Sequence, residues 1–197
     1  MMNIAFTRTP YGAAKRAGCF VFLAAAVLAT GMQAGHGQGP DLAPPELARG
    51  STAIVFQTGL DNRSTVTQDG SAHWAGVSQA GDRNSATLSQ NGQGNWVTAT
   101  QAGADNVINL VQAGGGNNDA YISQFGLGNQ AAVTQNGHGN MTLLGQYGNG
   151  NDAVITQSGD GKTVQLAQIG NNNQAALSLK ENYNLIQRGG TVVTAVQ

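Results

Sequence analysis

Hydrophobic and polar residues alternate in steps of two along most of this chain. In the segment 84–90, one face carries hydroxyl residues, and the other carries Asn84, Ala86, Leu88 and Gln90. A period of two is typical of a β-strand, because successive strand side chains point to opposite faces. The same alternation recurs about every eleven residues, so the sequence predicts a series of seven-residue strands that each end in glutamine.

These glutamines recur at a nearly constant interval. The step is eleven residues throughout, except that one extra residue falls in the run 114–118. So strict a period indicates one structural unit stacked on copies of itself. The predicted glutamine column comprises Gln57, Gln68, Gln79, Gln90, Gln101, Gln112, Gln124, Gln135, Gln146, Gln157 and Gln168.

A four-residue turn follows each strand, and glycine in that turn fits a need for positive φ. The corner glycines are Gly59, Gly70, Gly81, Gly92, Gly103, Gly114, Gly126, Gly137, Gly148, Gly159 and Gly170. Asparagine closes nine of the eleven turns, with His73 and Lys162 as the exceptions. The predicted asparagine column comprises Asn62, Asn84, Asn95, Asn106, Asn118, Asn129, Asn140, Asn151 and Asn173.

Such turns suit either hairpins or the corners of a solenoid. In a solenoid, strand n lies above strand n+2, so like amides stack about 4.8 Å apart and hydrogen-bond along the column. Fixed Gln and Asn positions therefore favour an all-β, two-sheet β-solenoid (a cross-β helix) of about seven two-strand rungs. We predict the repeats over residues 51–179 and a degenerate terminal repeat over 180–197, because Leu179 replaces glutamine.

The N-terminal region has no repeat. Three basic residues and the apolar stretch 19–30 predict a signal peptide over residues 1–34. Residues 35–50 are proline-rich, and we predict a disordered segment there. No proline follows residue 50, which suits a sheet that uses every backbone N–H.

Composition narrows the function. Charged residues are 10% of the chain, and removing the signal peptide leaves six basic residues against ten acidic ones, so no nucleic-acid partner is expected. The only cysteine lies in the signal peptide. Neither His73 nor His138 belongs to a nucleophile–base set or a pair at metal-ligand spacing, so we expect no enzyme activity, no metal and no cofactor.

The repeat resembles the curlin repeat of bacterial curli amyloid fibres. The unit Gln-x-Gly-x-x-Asn-x-Ala-x3-Gln reads in full over 79–90 and again over 146–157, and Ser51 fits the opening serine. The resemblance implies secretion through an outer-membrane pore with accessory proteins, and assembly into adhesive extracellular fibres on a Gram-negative-type bacterium. It also implies self-assembly, contact with other curlin subunits, and a secretion-targeting role for residues 35–50.

The family has a major fibre subunit and a minor nucleator. Nearly every corner here carries Gly-x-x-Asn, and the divergent end bears Arg188, which is nucleator-like. The intact glutamine column suits a chain that polymerises alone, so both roles stay open.

Two alternatives to a fibre subunit belong to a different functional class, in which the solenoid stays monomeric. An ice-binding solenoid needs a flat outward threonine array, and a partial one is present (Thr67, Ser89, Val111, Thr134, Thr156). A capped β-helix adhesin is the other.

The outward Trp74 and Trp96 could contact sugars, and corner aspartates (Asp69, Asp82, Asp105, Asp160) could delay aggregation as gatekeepers.

Overall fold

The computed structural model describes residues 2–6 and 50–197. The strands are β1 (Met2–Phe6), β2 (Thr52–Thr58), β3 (Arg63–Ser71), β4 (Trp74–Asp82), β5 (Ser85–Gln93), β6 (Trp96–Ala104), β7 (Val107–Gly116), β8 (Asp119–Leu127), β9 (Gln130–His138), β10 (Met141–Tyr147), β11 (Asp152–Ser158), β12 (Thr163–Ile169), β13 (Gln174–Leu179), β14 (Tyr183–Arg188) and β15 (Val192–Val196). Apart from residues 2–6 and Gly50, the predicted signal peptide and segment 35–50 lie outside the described residues.

The strands form two sheets. Odd-numbered strands make one sheet in the order β1-β3-β5-β7-β9-β11-β13-β15, and even-numbered strands make the other from β2 to β14. Neighbouring strands from β2 onward pair in parallel, each with the strand two places along the chain. One rung is therefore two strands, such as β2 and β3, and seven rungs stack. The predicted two-sheet β-solenoid of about seven rungs is confirmed.

The pairing brings like residues together. Ala53 pairs with Ala75, and Gln57 with Gln79, in one unshifted register. The extra residue near 114–118 produces a register shift between Ala113 and Gly116 at the end of β7. The ladder recovers in β8, because the insertion falls in a corner rather than within a strand.

The apolar core is a thin layer between the two sheets. In seven of the fourteen strands β2–β15 the first inward position is a buried alanine, and in these strands the next is a buried Val, Leu or Ile such as Leu88 or Ile155. Each of these larger side chains contributes roughly 1.5–3 kcal/mol when buried. In the part of the chain whose burial is described, the core residues lie between Ala53 and Ala195.

Strand β1 stands apart from the repeat. It pairs antiparallel with the outer edge of β3, with Met2 opposite Gln68 and Phe6 opposite Ser64. Among the described residues, no helix is long and apolar enough to cross a membrane.

Candidate functional site

The eleven predicted glutamines and Gln187 form two columns, one in each sheet, and all twelve except Gln57 are buried. In the even-strand sheet, each Nε2 donates to the Oε1 of the next rung at 2.6–2.9 Å. In the odd-strand sheet, the same bonds are 2.8–3.0 Å long. The even column contains Gln57, Gln79, Gln101, Gln124, Gln146, Gln168 and Gln187, and the odd column Gln68, Gln90, Gln112, Gln135 and Gln157. The amides thus form two continuous hydrogen-bonded chains along the stacking axis.

From Gln68 onward, each glutamine of the two columns also donates to a backbone carbonyl oxygen near a corner. The Nε2 of Gln90 donates to the carbonyl oxygens of Trp74 and Asn95, at 3.1 and 2.9 Å. Trp74 is the first residue of β4 in the opposite sheet, and Asn95 is the last residue of the turn before β6. Because buried amides need such partners to offset their desolvation, the column stabilises the corners as well as the stack.

The asparagines form a column at each corner. The Oδ1 of Asn62 accepts hydrogen bonds from both the backbone N–H and the side-chain amide of Asn84, each at 3.0 Å. The Asn84 amide also donates to the carbonyl oxygen of Gly103. One corner repeats this through Asn62, Asn84, Asn106, Asn129, Asn151 and Asn173, and the other holds Asn95, Asn118 and Asn140.

His73 takes an asparagine position and is buried. Its Nδ1 accepts the backbone N–H of Asn95 at 3.3 Å, and its Nε2 lies 3.1 Å from the carbonyl oxygen of Asp69. An accepting Nδ1 is unprotonated, so the proton sits on Nε2 and is donated to that carbonyl. Burial lowers the pKa of His73, although hydrogen bonds to the backbone oppose the shift.

Lys162, the other residue that replaces asparagine at the end of a turn, is only half-buried. Its backbone N–H donates to the Oδ1 of Asn140, 3.0 Å away. A lysine ammonium has no acceptor to offer the following rung. The asparagine column of that corner therefore ends at Lys162.

Stacking places the corner glycines directly over one another. Gly81 has φ 105°, and a Cβ added there would collide with the carbonyl oxygen of Gly103 in the next rung. Glycine is needed both for its positive φ and for the close backbone approach.

Sequence reasoning missed three parts of this network. Gln187 extends the even column although it falls outside the eleven-residue period. Thr142 is fully buried at an alanine position, and its Oγ1 donates to the Oε1 of Gln157 at 2.5 Å. Corner carboxylates and amides accept a backbone N–H from the preceding rung, as Asp82 does from Leu60 at 2.9 Å. The corner hydrogen bonds join positions 22 residues apart, so comparing residues at that spacing in the sequence would have revealed them.

The outer faces of the two sheets differ. The even-strand sheet exposes large apolar residues in register, including Tyr121, Phe125, Leu143, Tyr147 and Ile169. The rings of Phe125 and Tyr147 stack at 5.4 Å. The outward Thr67, Ser89, Val111, Thr134 and Thr156 lie in one column of the odd-strand sheet.

Within the described ranges, no group of three or more His, Cys, Asp or Glu residues is placed to hold a metal ion. His138 and Asp160 approach each other at an exposed corner, where His138 Nδ1 lies 3.7 Å from the carboxylate.

Three segments of the chain match the family model of the curlin associated repeat, over residues 59–92, 81–114 and 128–159. Each segment spans about one and a half rungs. No curated protein and no solved structure gives a significant match to the chain.

Proposed function

Because this chain belongs to the curlin family and is a curli-type subunit, we propose that it builds extracellular fibres by adding the sheet edges of one copy to those of another. The single observation that carries the proposal is the pair of amide columns along the stacking axis, of which the even-strand column runs through all seven rungs and the odd-strand column through five. A glutamine at the end of such a column still has an amide donor or acceptor free, so a further chain can extend the column by one more hydrogen bond.

The sheet edges support this mode of growth. Strand β2 at one end, and β14 and β15 at the other, each have a neighbour on one side only among the described residues. A strand edge carries unpaired N–H and C=O groups, and globular proteins usually blunt it with proline or charge. Residues 51–197 contain no proline. One added chain satisfies these groups and continues both columns, which gives the high kinetic stability of cross-β fibres.

The exposed apolar residues of the even-strand sheet support a role in adhesion and biofilm. Stacked copies would continue this face along the fibre, and large exposed apolar patches are typical of interaction sites. We extend the proposal to secretion through the family's outer-membrane pore and its accessory proteins, with the signal peptide and the glutamine, asparagine and glycine columns in the roles that the sequence predicts.

The decisive experiment is a thioflavin time course with X-ray fibre diffraction on the chain 35–197. We expect a sigmoidal rise and a reflection near 4.8 Å along the fibre axis. A chain that stays monomeric, by gel filtration after days at room temperature, would instead indicate a capped adhesin. Thermal hysteresis would indicate ice binding.

The nucleator role is a second candidate, favoured by the divergent last rungs. Leu179 interrupts the odd column, and Arg188 ends β14. Weak unseeded assembly together with strong seeding of another curlin would assign this role, whereas rapid unseeded assembly assigns the major subunit.

A further inference from the structure

The outer face of the even-strand sheet has the composition of a protein–protein interface. In the seven even strands, outward positions carry a charge only at strand ends, at Asp82, Asp119 and Arg188. Charges confined to the rim around an apolar, aromatic centre are typical of such interfaces. Six of the large apolar side chains at this centre are 37–60% exposed, those of Tyr121, Phe125, Leu143, Tyr147, Ile169 and Ile186.

Glycine lets aromatic rings lie down on this face. A Cβ added at Gly145 would collide with the ring of Tyr147, and one added at Gly76 would collide with the ring of Trp74. These rings therefore cover the glycine backbone instead of standing away from the sheet. A low and regular face of this kind can pack against a second sheet at the usual distance of about 10 Å.

Beside Tyr147 the face has a trough of about 420 Å³. Its lining includes the small residues Gly145 and Ala167 and the apolar side chains of Leu143 and Ile186. Packed sheets interdigitate the side chains of their inner faces. The trough thus offers room for an apolar side chain from a facing sheet.

The area of the face matches what a stable pair needs. The sheet has seven strands, which at a spacing of about 4.8 Å extend over about 34 Å, and seven residues of a strand extend over about 23 Å. One chain therefore presents about 780 Å², and a stable interface buries roughly 800 Å² from each partner.

The outer face of the odd-strand sheet is polar. Its central columns hold hydroxyl and amide side chains such as Thr87, Asn109 and Thr156, and the exposed Val154 stands among them. Two copies that join their even-strand faces turn both odd-strand faces outward. The contact uses the same surface of both partners, so it closes at two copies.

We propose that two filaments pair side by side through the outer faces of their even-strand sheets, so that the partner of the apolar face is a second copy of this chain. This rests on the proposed function, because a fibre repeats the face along its length. Each added chain contributes a further contact, so two filaments hold together more strongly than two single chains. The pair presents hydroxyl and amide columns to solvent on both sides.

The mass per length of fibres of the chain 35–197, measured by scanning transmission electron microscopy, tests the pairing. A single filament holds one chain in the length of seven rungs, about 34 Å. A pair holds two chains in that length, so we expect twice the mass per length of a single filament. Fibres made of single filaments would overturn the pairing and leave the proposed function standing. Absence of fibres would refute the proposed function itself.

Charged variants test which face forms the contact. Leu143→Lys/Ile169→Lys puts two charges on the even-strand face, and fibres of this variant should keep the reflection near 4.8 Å but have half the parent mass per length. The matched control Val154→Lys/Ala176→Lys puts two charges on exposed positions of the odd-strand face in the same two rungs, and its filaments should stay paired. Pairs in the first variant, or single filaments in both, would overturn the assignment.

Thiol labelling tests the same face without added charge. Gln165→Cys and Ala176→Cys each place a thiol at an exposed position, on β12 and β13 of one rung, and the chain 35–197 has no cysteine of its own. In fibres, a maleimide should react about tenfold more slowly at position 165 than at position 176, because the core of an interface is packed like a protein interior. Equal rates would overturn the pairing. Single filaments in which phosphatidylcholine vesicles alone shield position 165 would also overturn it, since they would assign the face to a lipid.

Discussion

The indole ring of Trp74 lies on that of Trp96, with centroids 4.1 Å apart and planes inclined by 17°. The two residues are paired across β4 and β6, so the stack reports directly on the spacing of two rungs. Gly76 makes room for it, because a Cβ at Gly76 would collide with the Trp74 ring.

Gly76→Ala should therefore displace Trp74 and break the stack. We expect a loss of about 1 kcal/mol in the free energy of unfolding, the usual worth of an aromatic pair, and loss of the tryptophan signal in near-ultraviolet circular dichroism. Ser78→Ala, on the same exposed face, is the matched control and should preserve that signal. An unchanged signal in Gly76→Ala would contradict the packing.

Gln101→Ala should lower the free energy of unfolding by more than Gly76→Ala does. Gln101 accepts from Gln79 at 2.7 Å and donates to Gln124 at 2.9 Å and to the Ser85 carbonyl at 3.1 Å. Its truncation leaves buried polar groups unpaired and opens a cavity, so we expect a loss of about 3 kcal/mol or more in denaturant unfolding. The outward change Ser85→Ala should cost less than about 0.5 kcal/mol, and equal losses would deny the column its role.

Thr142 tests how much a second donor to a column oxygen contributes to stability. The Oε1 of Gln157 accepts from both Thr142 Oγ1 and Gln135 Nε2, at 2.5 and 3.0 Å. Thr142→Val keeps the shape but removes the hydroxyl, so we expect a loss of about 1 kcal/mol in the free energy of unfolding. Thr142→Ser keeps the hydroxyl and should retain more of the hydrogen-bond stability. If valine is as stable as threonine, the hydroxyl contributes nothing.

His73 should make the corner between β3 and β4 sensitive to acid. Its pKa is lowered by burial in the folded chain, so the unfolded chain takes up a proton first as the pH falls. The stability contribution is complete above about pH 6.5, the ordinary histidine value, and declines below it toward the lowered folded pKa. Asp69 is the carboxylate whose charge opposes this shift.

The comparison is between the parent chain and His73→Asn. Unfolding midpoints at pH 7.5 and pH 5 should differ more in the parent than in the variant, because asparagine restores the column and does not titrate. An identical pH dependence in the two chains would remove His73 as the cause.

The corner aspartates have structural partners as well as charge. Asp82 and Asp160 each accept a backbone N–H from the rung before, as Asn149 and Asn171 do with amides. Asp82→Asn keeps the acceptor, so stability should change by less than about 0.5 kcal/mol.

The same substitution removes a corner charge, and if Asp82 acts as a gatekeeper, this charge slows fibre assembly. The thioflavin lag time should therefore shorten in Asp82→Asn. Ser78→Ala serves as a charge-neutral control. An unchanged lag would leave Asp82 as a turn residue alone.

The sequence by itself determined the unit and the way it stacks. A strict eleven-residue step with period-two alternation is compatible with few structures, because a one-residue slip would turn every glutamine outward. Fixed Gln and Asn positions then favoured parallel stacking over a meander, since only stacking sets like amides beside one another.

Only the tertiary structure decided the direction of the columns and the contents of their ends. The polarity of the Gln57–Gln79 bond, the unpartnered Oε1 of Gln68 and the partners of Thr142 depend on atomic positions, and spacing does not encode these. Gln197 shows the reason most clearly. Its step from Gln187 breaks the period, yet shortened corners let Val196 pair with Ser178 and let the backbone N–H of Gln197 donate to the carbonyl oxygen of Ser178, because backbone pairing rather than residue count sets the register.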